Sequence, residues 1–344
     1  MKILFASSSV GLGHIVRDVR LSNYMHWANI TWITSGIALK YLEAKKVKIH
    51  EASYSLDGLD KIVEEMFKGG VLKISPNKLL KLYNMVKKNS IRLNELVNLD
   101  DFDGVVADEF WELLFLERPM TKNVFITDFL KFKPQTNSIT QILLLPYVNK
   151  ALHQKLKDFG AKIYVGLRPI STREFDFYGQ IFTHEANEDC TERKTDEEDF
   201  ILINLGGTSA GYNLLSKATP ILNKLKLNVK VIGSSKHFTS NPLPYICRSK
   251  LIISMAGYSS LIELSRFKKK GIIVPLAGDF EQEDNARVFY DRPGYRILSF
   301  GKIEKLLERY ILEIFNENPN PPIFNDGSEK ISERLRLVFQ SKNT

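Results

Sequence analysis

The sequence predicts an α/β protein made of two parallel-sheet domains. Three observations carry that expectation. Short apolar runs alternate with segments whose apolar residues fall at helical spacing, the rhythm of parallel strands joined by crossover helices. The alternation breaks in a charged, weakly apolar stretch between residues 171 and 199, and then resumes. At 344 residues the chain also exceeds what one core usually grows to, so two domains of roughly 150 residues each are expected.

The first predicted strand is Lys2 to Ala6, followed by a Gly-rich turn and a helix from about His14, with Ile15, Val16, Val19, Tyr24 and Met25 at helical spacing. A strand over Ile30 to Thr34 and a helix near Ile37 to Lys45 come next. The runs Gly104 to Ala107, Asn123 to Thr127, Gln141 to Leu145 and Lys162 to Val165 supply the remaining strands of this unit. After the charged stretch, strands are expected at Phe200 to Asn204, Asn228 to Ile232, Leu251 to Met255 and Gly271 to Pro275. Their helices fall near Leu214 to Lys224, Ser259 to Lys268 and Glu281 to Tyr290. Asn316 to Pro322 is a Pro/Asn-rich break, and Gly327 to Gln340 reads as a final amphipathic helix. The expected division is residues 1–170, residues 171–315, and a tail 316–344 whose helix packs back on the first domain.

Composition narrows the class. Hydrophobic residues at 44% and charged residues at 26% are ordinary for a globular chain. The two cysteines, Cys190 and Cys247, match neither a metal spacing nor a disulfide framework, so a reducing, cytoplasmic setting and no structural zinc are expected. The apolar start, Met1 to Ala6, turns polar at Ser7 and is too short for a signal peptide. No later run reaches the roughly 18 apolar residues of a membrane span, which predicts a soluble or peripheral protein. A net charge of +8 points to an anionic partner: nucleic acid, an acidic membrane surface or a phosphorylated small molecule. No zinc-finger spacing, RNA-binding aromatic signature or compact basic helix-turn-helix is present, which argues against nucleic acid.

Four strand-to-helix turns carry the candidate chemistry. Gly11-Leu12-Gly13-His14 lies where ligands sit at the carboxyl edge of an open α/β sheet. Glycines there let the backbone approach a ligand, and a histidine at the helix start brings a group that titrates near neutrality. Arg17 stands where a dinucleotide fingerprint has its third glycine. In the second half, Gly206, Gly207 and Thr208 open a phosphate-cradle turn with small residues exposing backbone N–H groups. Gly257-Tyr258-Ser259-Ser260 starts a helix whose positive dipole end suits a diphosphate. Glu263, one turn further on, can accept from two ribose hydroxyls or simply occupy a favourable place on the dipole. Asp279 to Asn285, including Glu281 and Gln282, offers donors and acceptors for sugar hydroxyls, or a solvated helix start.

Taken in order, these motifs resemble the MurG-like glycosyltransferases of the two-Rossmann-domain (GT-B) class and the related family 28 transferases. Gly11 to His14 looks like that family's first Gly-rich loop, and Gly206-Gly207-Thr208 like the loop opening its donor domain. Ser254 to Glu263 is similar to the Ser-x-x-Gly-x-Ser/Thr-x-x-Glu donor signature, and Phe280 to Ala286 to a common sugar-contacting ending. The resemblance implies two Rossmann-like parallel-sheet domains facing across a cleft and a nucleoside-diphosphate sugar, with UDP favoured, held mainly by the second. Glu263 would meet the ribose, the 206–208 and 257–260 turns the diphosphate, Glu281, Gln282 and Asn285 the sugar, and Gly233 the base edge. Gly13 and His14 would face the donor from the first domain, His14 acting as general base in an inverting transfer. No metal or other cofactor is implied, because helix dipoles and backbone donors would neutralise the leaving diphosphate.

Asp108 is a candidate to orient His14 and fix its tautomer, with Asp128 as competitor, since both follow predicted strands. The acceptor is expected to be a sugar hydroxyl or a lipid-linked group. Residues 61–97 mix lysines 61, 68, 73, 78, 81, 87 and 88 and Arg92 with apolar positions, a pattern suited to an anionic membrane at its inner face or to helices covering a sheet. A similar Gly-x-Gly-His-x-x-Arg turn in related UDP-sugar hydrolases implies water as the alternative acceptor. A non-catalytic nucleotide-sugar-binding subunit is the third reading.

Overall fold

The computed structural model describes residues 1–341 except 69, 117–121, 135–137, 169–174, 185–187, 189, 191–199 and 235. The charged clusters at 185–189 and 195–199 therefore lie almost wholly outside the described residues. The chain forms two compact units. The first comprises Met1–Val63, Ile74–Phe182 and Asp326–Thr344; the second comprises Glu64–Lys73 and Thr183–Asn325.

The chain runs through β1 (Lys2–Ser7), α1 (Gly13–Ser22), β2 (Asn29–Ile33), α2 (Gly36–Lys45) and α3 (Asp60–Met66), where it leaves the first unit. A short hairpin, β3 (Phe67–Lys68) and β4 (Val71–Leu72), belongs to the second unit. Back in the first come α4 (Pro76–Leu96), β5 (Gly104–Asp108), β6 (Asn123–Thr127), α5 (Ile139–Phe159), β7 (Ala161–Val165) and β8 (Phe177–Gly179). The six strands are all parallel in the order β2-β1-β5-β6-β7-β8. Ile3, Leu4, Phe5 and Ala6 are fully buried, as parallel strands covered on both faces require. Because β2 and β5 flank β1 on opposite sides, the winding reverses at β1, and the crevice at its carboxyl end is where such sheets bind ligands.

The second unit is built from β9 (Phe200–Asn204), α6 (Ala210–Lys224), β10 (Val229–Ile232), α7 (Leu243–Arg248), β11 (Ser249–Met255) and α8 (Tyr258–Arg266). It continues through β12 (Gly271–Val274), α9 (Phe280–Ala286), β13 (Tyr295–Ile297) and α10 (Ile303–Phe315). Its five parallel strands run β10-β9-β11-β12-β13, so here the reversal falls at β9. Leu214, Ala218 and Leu222 of α6 and Ile303, Leu307, Ile311 and Ile314 of α10 pack on Ile201, Ile203, Leu251 and Ile253. The β3–β4 hairpin joins this core through Phe67 and Leu72. The Leu72 N–H donates to Ala277 O at 2.9 Å, and the Ala277 N–H donates to Gly70 O at 3.3 Å. The last helix, α11 (Ser328–Gln340), lies in the first unit. There Trp27 Nε1 donates to Ser332 Oγ, which donates to Tyr24 O.

Two expectations are corrected. Gln141 to Leu145 is not a strand but the first part of α5. A short continuous apolar run carries no period of its own, and the helix-spaced Leu152, Leu156 and Phe159, all buried, decide the matter. Cys190 and Cys247 do not stand apart but form a disulfide. Their separation of 57 residues carries no spacing signal, and the two meet only once the second unit has folded. Among the described residues no helix is long and apolar enough to cross a membrane.

Candidate active site

At the carboxyl edge of β1 and β5, helix α1 opens at Gly13, which is exposed, and presents His14. His14 Nδ1 lies 3.0 Å from Asp108 Oδ1. Asp108 is fully buried at the last position of β5, and Arg17, one turn along α1, grips both its oxygens, Nε at 2.7 Å and Nη2 at 2.6 Å. Burial pushes the Asp108 carboxyl up, but the Arg17 charge and then His14 outweigh it and hold it well below the usual carboxylate range. Arg17 is itself buried, and despite the cost of burial its bond to Asp108 keeps it charged. Asp18, also buried, accepts from Ser7 Oγ at 2.5 Å; burial and the neighbouring Asp108 charge raise it well above the usual range.

A second carboxylate approaches the same imidazole. Glu109 Oε2 stands 3.7 Å from His14 Nε2. Glu109 Oε1 accepts from Thr127 Oγ1 at 2.8 Å and from the Asp128 N–H at 3.3 Å. Its backbone takes φ +44°, a left-handed conformation that costs a non-glycine residue about 1 kcal/mol or more. Asp128 lies after β6 and acts on Arg17 through its charge. Among the described residues, the carboxylates within ion-pair distance of His14 are Asp108 and Glu109.

The second unit's edge at β9 and β11 is made of different parts. Asn204, the last residue of β9, accepts from the Gly206 N–H through Oδ1 and donates through Nδ2 to Ser260 Oγ, both at 3.1 Å. One amide thereby ties the 205–209 turn to the start of α8. Gly206 and Gly233 adopt φ +69° and +92°. A Cβ on Gly233 would stand 2.6 Å from Gly206 O, so the two turns meet backbone to backbone. Gly207 and Thr208 follow in the same turn, and the Gly211 N–H donates to Thr208 O as α6 begins. Gly257 sits at the N-cap of α8 with open space where a Cβ would be, while Tyr258 is buried. Ser259 Oγ is buried and makes no hydrogen bond among the described residues.

Glu263 is buried on α8, and its Oε1 lies 3.0 Å from His184 Nε2 and 3.4 Å from Thr183 Oγ1. Burial lowers the His184 pKa, but the bond and charge of Glu263, with Glu188, outweigh it and raise the imidazole. One oxygen of Glu263 is thus anchored before any ligand is considered. After β12, Asp279 caps α9 by accepting from the Glu281 and Gln282 N–H groups. Gln282 donates to Asp279 Oδ2 and accepts from the Leu276 N–H, and Asn285 donates to Glu281 Oε1. These side chains brace the loop whose backbone at Ala277 also pairs with the hairpin.

The turns singled out in each half therefore lie at the carboxyl edge of that half's own sheet. Arg17, Glu109 and Asn204 were not recognised as site residues. Arg17 carried a usable signal, three positions after His14 on the same helix face. Glu109 and Asn204 carried little, since their roles depend on a backbone angle and on a turn-to-turn contact. Among the described residues there is no group of three or more His, Cys, Asp or Glu that could hold a metal ion.

Residues 185–338 match the family model of the glycosyltransferase family 28 C-terminal domain. No curated protein matches the sequence. Solved structures do match in fold. MurG of Acinetobacter baumannii is 12% identical, with 97% of this chain and 99% of that one covered and a TM-score of 0.52. CalG4, the calicheamicin glycosyltransferase, is 12% identical, with 98% and 94% covered and a TM-score of 0.57. The Streptomyces sp. SF2575 glycosyltransferase SsfS6, complexed with thymidine diphosphate, is 13% identical, with 98% and 95% covered and a TM-score of 0.55. Residues 185–338 thus carry the glycosyltransferase family 28 C-terminal domain, which marks the protein as a glycosyltransferase, and the chain as a whole has the fold of MurG and CalG4.

Proposed function

We propose that this glycosyltransferase transfers a sugar from a nucleoside-diphosphate donor, UDP-linked in the first instance, to a hydroxyl of a lipid-linked acceptor, with inversion and without a metal. The observation that carries the reading is the His14–Asp108 pair, 3.0 Å apart at the point where the first sheet reverses. His14 takes the proton of the acceptor hydroxyl; the oxygen attacks the anomeric carbon opposite the diphosphate, and the nucleoside diphosphate leaves with the electron pair of the broken C–O bond. Developing charge on that diphosphate suits the uncapped start of α8 and the N–H groups of Gly207 and Thr208, which supply positive potential without a cation. The thymidine diphosphate bound to SsfS6 supports a nucleoside diphosphate in such a fold. Glu263, anchored through Oε1, is the proposed ribose acceptor.

The lipid-linked acceptor is supported by an apolar surface on the first unit. Ile139, Ile142, Leu143, Leu144 and Tyr147 of α5 are exposed, Ile139 by 74% and Tyr147 by 75%. Leu79, Leu80 and Tyr83 of α4 are exposed as well. The two helices share Phe115, which meets the Tyr83 ring at 5.6 Å and the Lys155 ammonium at 4.2 Å. Apolar side chains interleaved with Lys78, Lys81, Lys87 and Lys150 suit an anionic headgroup layer such as the cytoplasmic leaflet.

The test is nucleotide release from UDP-, GDP- and dTDP-sugars, with and without vesicles of cell lipid extract. Release that depends on the vesicles is the expected result. Equal release without them would make water the acceptor, and binding without turnover would make the protein a non-catalytic subunit.

A further inference from the structure

We infer that Glu109 is the second carboxylate of the base, supplying the negative charge that stabilises His14 once the imidazole has taken the acceptor proton. This rests on the reading of His14 as base, and it concerns the first unit alone.

The charge of Asp108 is already matched, since Arg17 holds both its oxygens in a buried, two-point grip. Arg17 Nη2 also lies 3.0 Å from His14 Nδ1, so an imidazolium there faces a guanidinium at close range. A His–Asp pair in isolation gains a full negative charge beside the proton it receives; this one does not. Among the described residues, Asp108 and Glu109 are the carboxylates within ion-pair distance of His14, Arg17 pairs with Asp108, Asp18 lies beside Asp108, and Asp128 acts on Arg17. Burial and the Asp108 charge raise Asp18 above the usual carboxylate range. Glu109 is the carboxylate that reaches the other ring nitrogen, Nε2, at 3.7 Å.

The way Glu109 is held fits that task. Thr127 Oγ1 and the Asp128 N–H fix Oε1, which leaves Oε2 as the oxygen turned to His14. The left-handed φ of +44° at Glu109 is the local distortion that accompanies this placement immediately after a regular strand. In the proton step the acceptor O–H bond breaks and the proton passes to Nε2, with the acceptor oxygen still in line with the new N–H, while Glu109 Oε2, 3.7 Å from that nitrogen, supplies the opposing charge. Asp108 and Arg17 together then set the ring's orientation, while Glu109 sets its charge balance.

The experiment is an NMR titration of the His14 imidazole in the full chain without substrate, its resonance assigned by its loss in His14→Gln. In Glu109→Gln the midpoint should fall by about one pH unit, as expected for loss of an opposite charge within about 4–6 Å. The acid limb of the kcat/KM profile should move down by the same interval. An unmoved midpoint in folded Glu109→Gln overturns the inference whatever happens to turnover. Unchanged turnover in His14→Gln overturns the reading of His14 as base instead. Should Glu109→Gln not fold, Thr127→Val releases Oε1 while keeping the charge, and its midpoint should fall by a smaller amount; no fall there overturns the inference.

Discussion

At the β1–β5 edge the chain sets one imidazole among Arg17, Asp108 and Glu109, whereas at the β9–β11 edge it offers glycines, a helix start and the amide of Asn204. The first arrangement is suited to moving a proton: the ring must be fixed in orientation, and the charge it acquires must be balanced nearby. The second is suited to holding an anion, because backbone N–H groups bind phosphate without bringing a charge that would itself have to be buried. Sheets of the same winding thus carry different chemistry at equivalent places, and the difference lies in the side chains at strand ends rather than in the topology.

The sharpest way to break this contrast is His14→Ala. Turnover should fall by about 10²- to 10⁴-fold, the usual worth of a positioned general base, with nucleoside-diphosphate affinity by calorimetry unchanged. An equal loss of affinity would mean the two edges do not divide the work. Next comes Arg17→Met, which removes the two-point grip on the buried Asp108, leaves it the His14 imidazole, and should cost about 3–5 kcal/mol in urea unfolding. Because the folded pKa of Asp108 is depressed, its contribution is present above the unfolded value near 4 and is lost as pH falls through the folded value. The gap between Arg17→Met and the unaltered protein should therefore narrow below about pH 4, which a pH series of unfolding curves would show.

Gly233→Ala probes the other edge. With φ at +92° and a Cβ 2.6 Å from Gly206 O, it should cost about 1–3 kcal/mol and weaken nucleotide binding, leaving the His14 titration where it was. The smallest effect is expected at Glu112, a fully buried carboxyl that burial pushes up to about 7 while it accepts from Asn89 Nδ2. Its folded pKa lies above the unfolded one, so its contribution is present below about pH 4.5 and is lost as pH rises through 7. Glu112→Gln should match the unaltered protein at pH 4.5 and exceed it by about 1–2 kcal/mol at pH 8. No difference at pH 8 would show that not every buried carboxyl in the first unit is strained by its charge.

The central strands were legible because each is a short, densely apolar run followed by a turn, and His14 and Asp108 were legible because they end or follow such runs. α10 had a clear signal in Ile303, Leu307, Ile311 and Ile314, yet it carried no motif and was passed over. α5 misled because its first residues are apolar and exposed, the reverse of what burial teaches one to expect. Other features had no local signature at all. The two-residue strands of the hairpin are held by pairing to Ala277, far along the chain, and the disulfide joins residues that meet only after folding. Arg17 and Asp18 looked like the polar face of a helix, but that face turns inward, and only the fold shows that Asp108 waits there.

The hairpin at 67–72 has a practical bearing on any attempt to recombine this enzyme. The chain passes between its units at residues 63/64, 73/74, 182/183 and 325/326, so the second unit is not a single cassette. A chimera that exchanges only 183–325 would import a new 277 loop while retaining an old hairpin shaped to the original. Phe67, Leu72 and the paired backbone of Gly70 and Ala277 would then have mismatched partners. Grafts that carry 64–73 together with 183–325 keep that seam intact, which makes this ten-residue segment part of the second unit although in sequence it sits among the residues of the first.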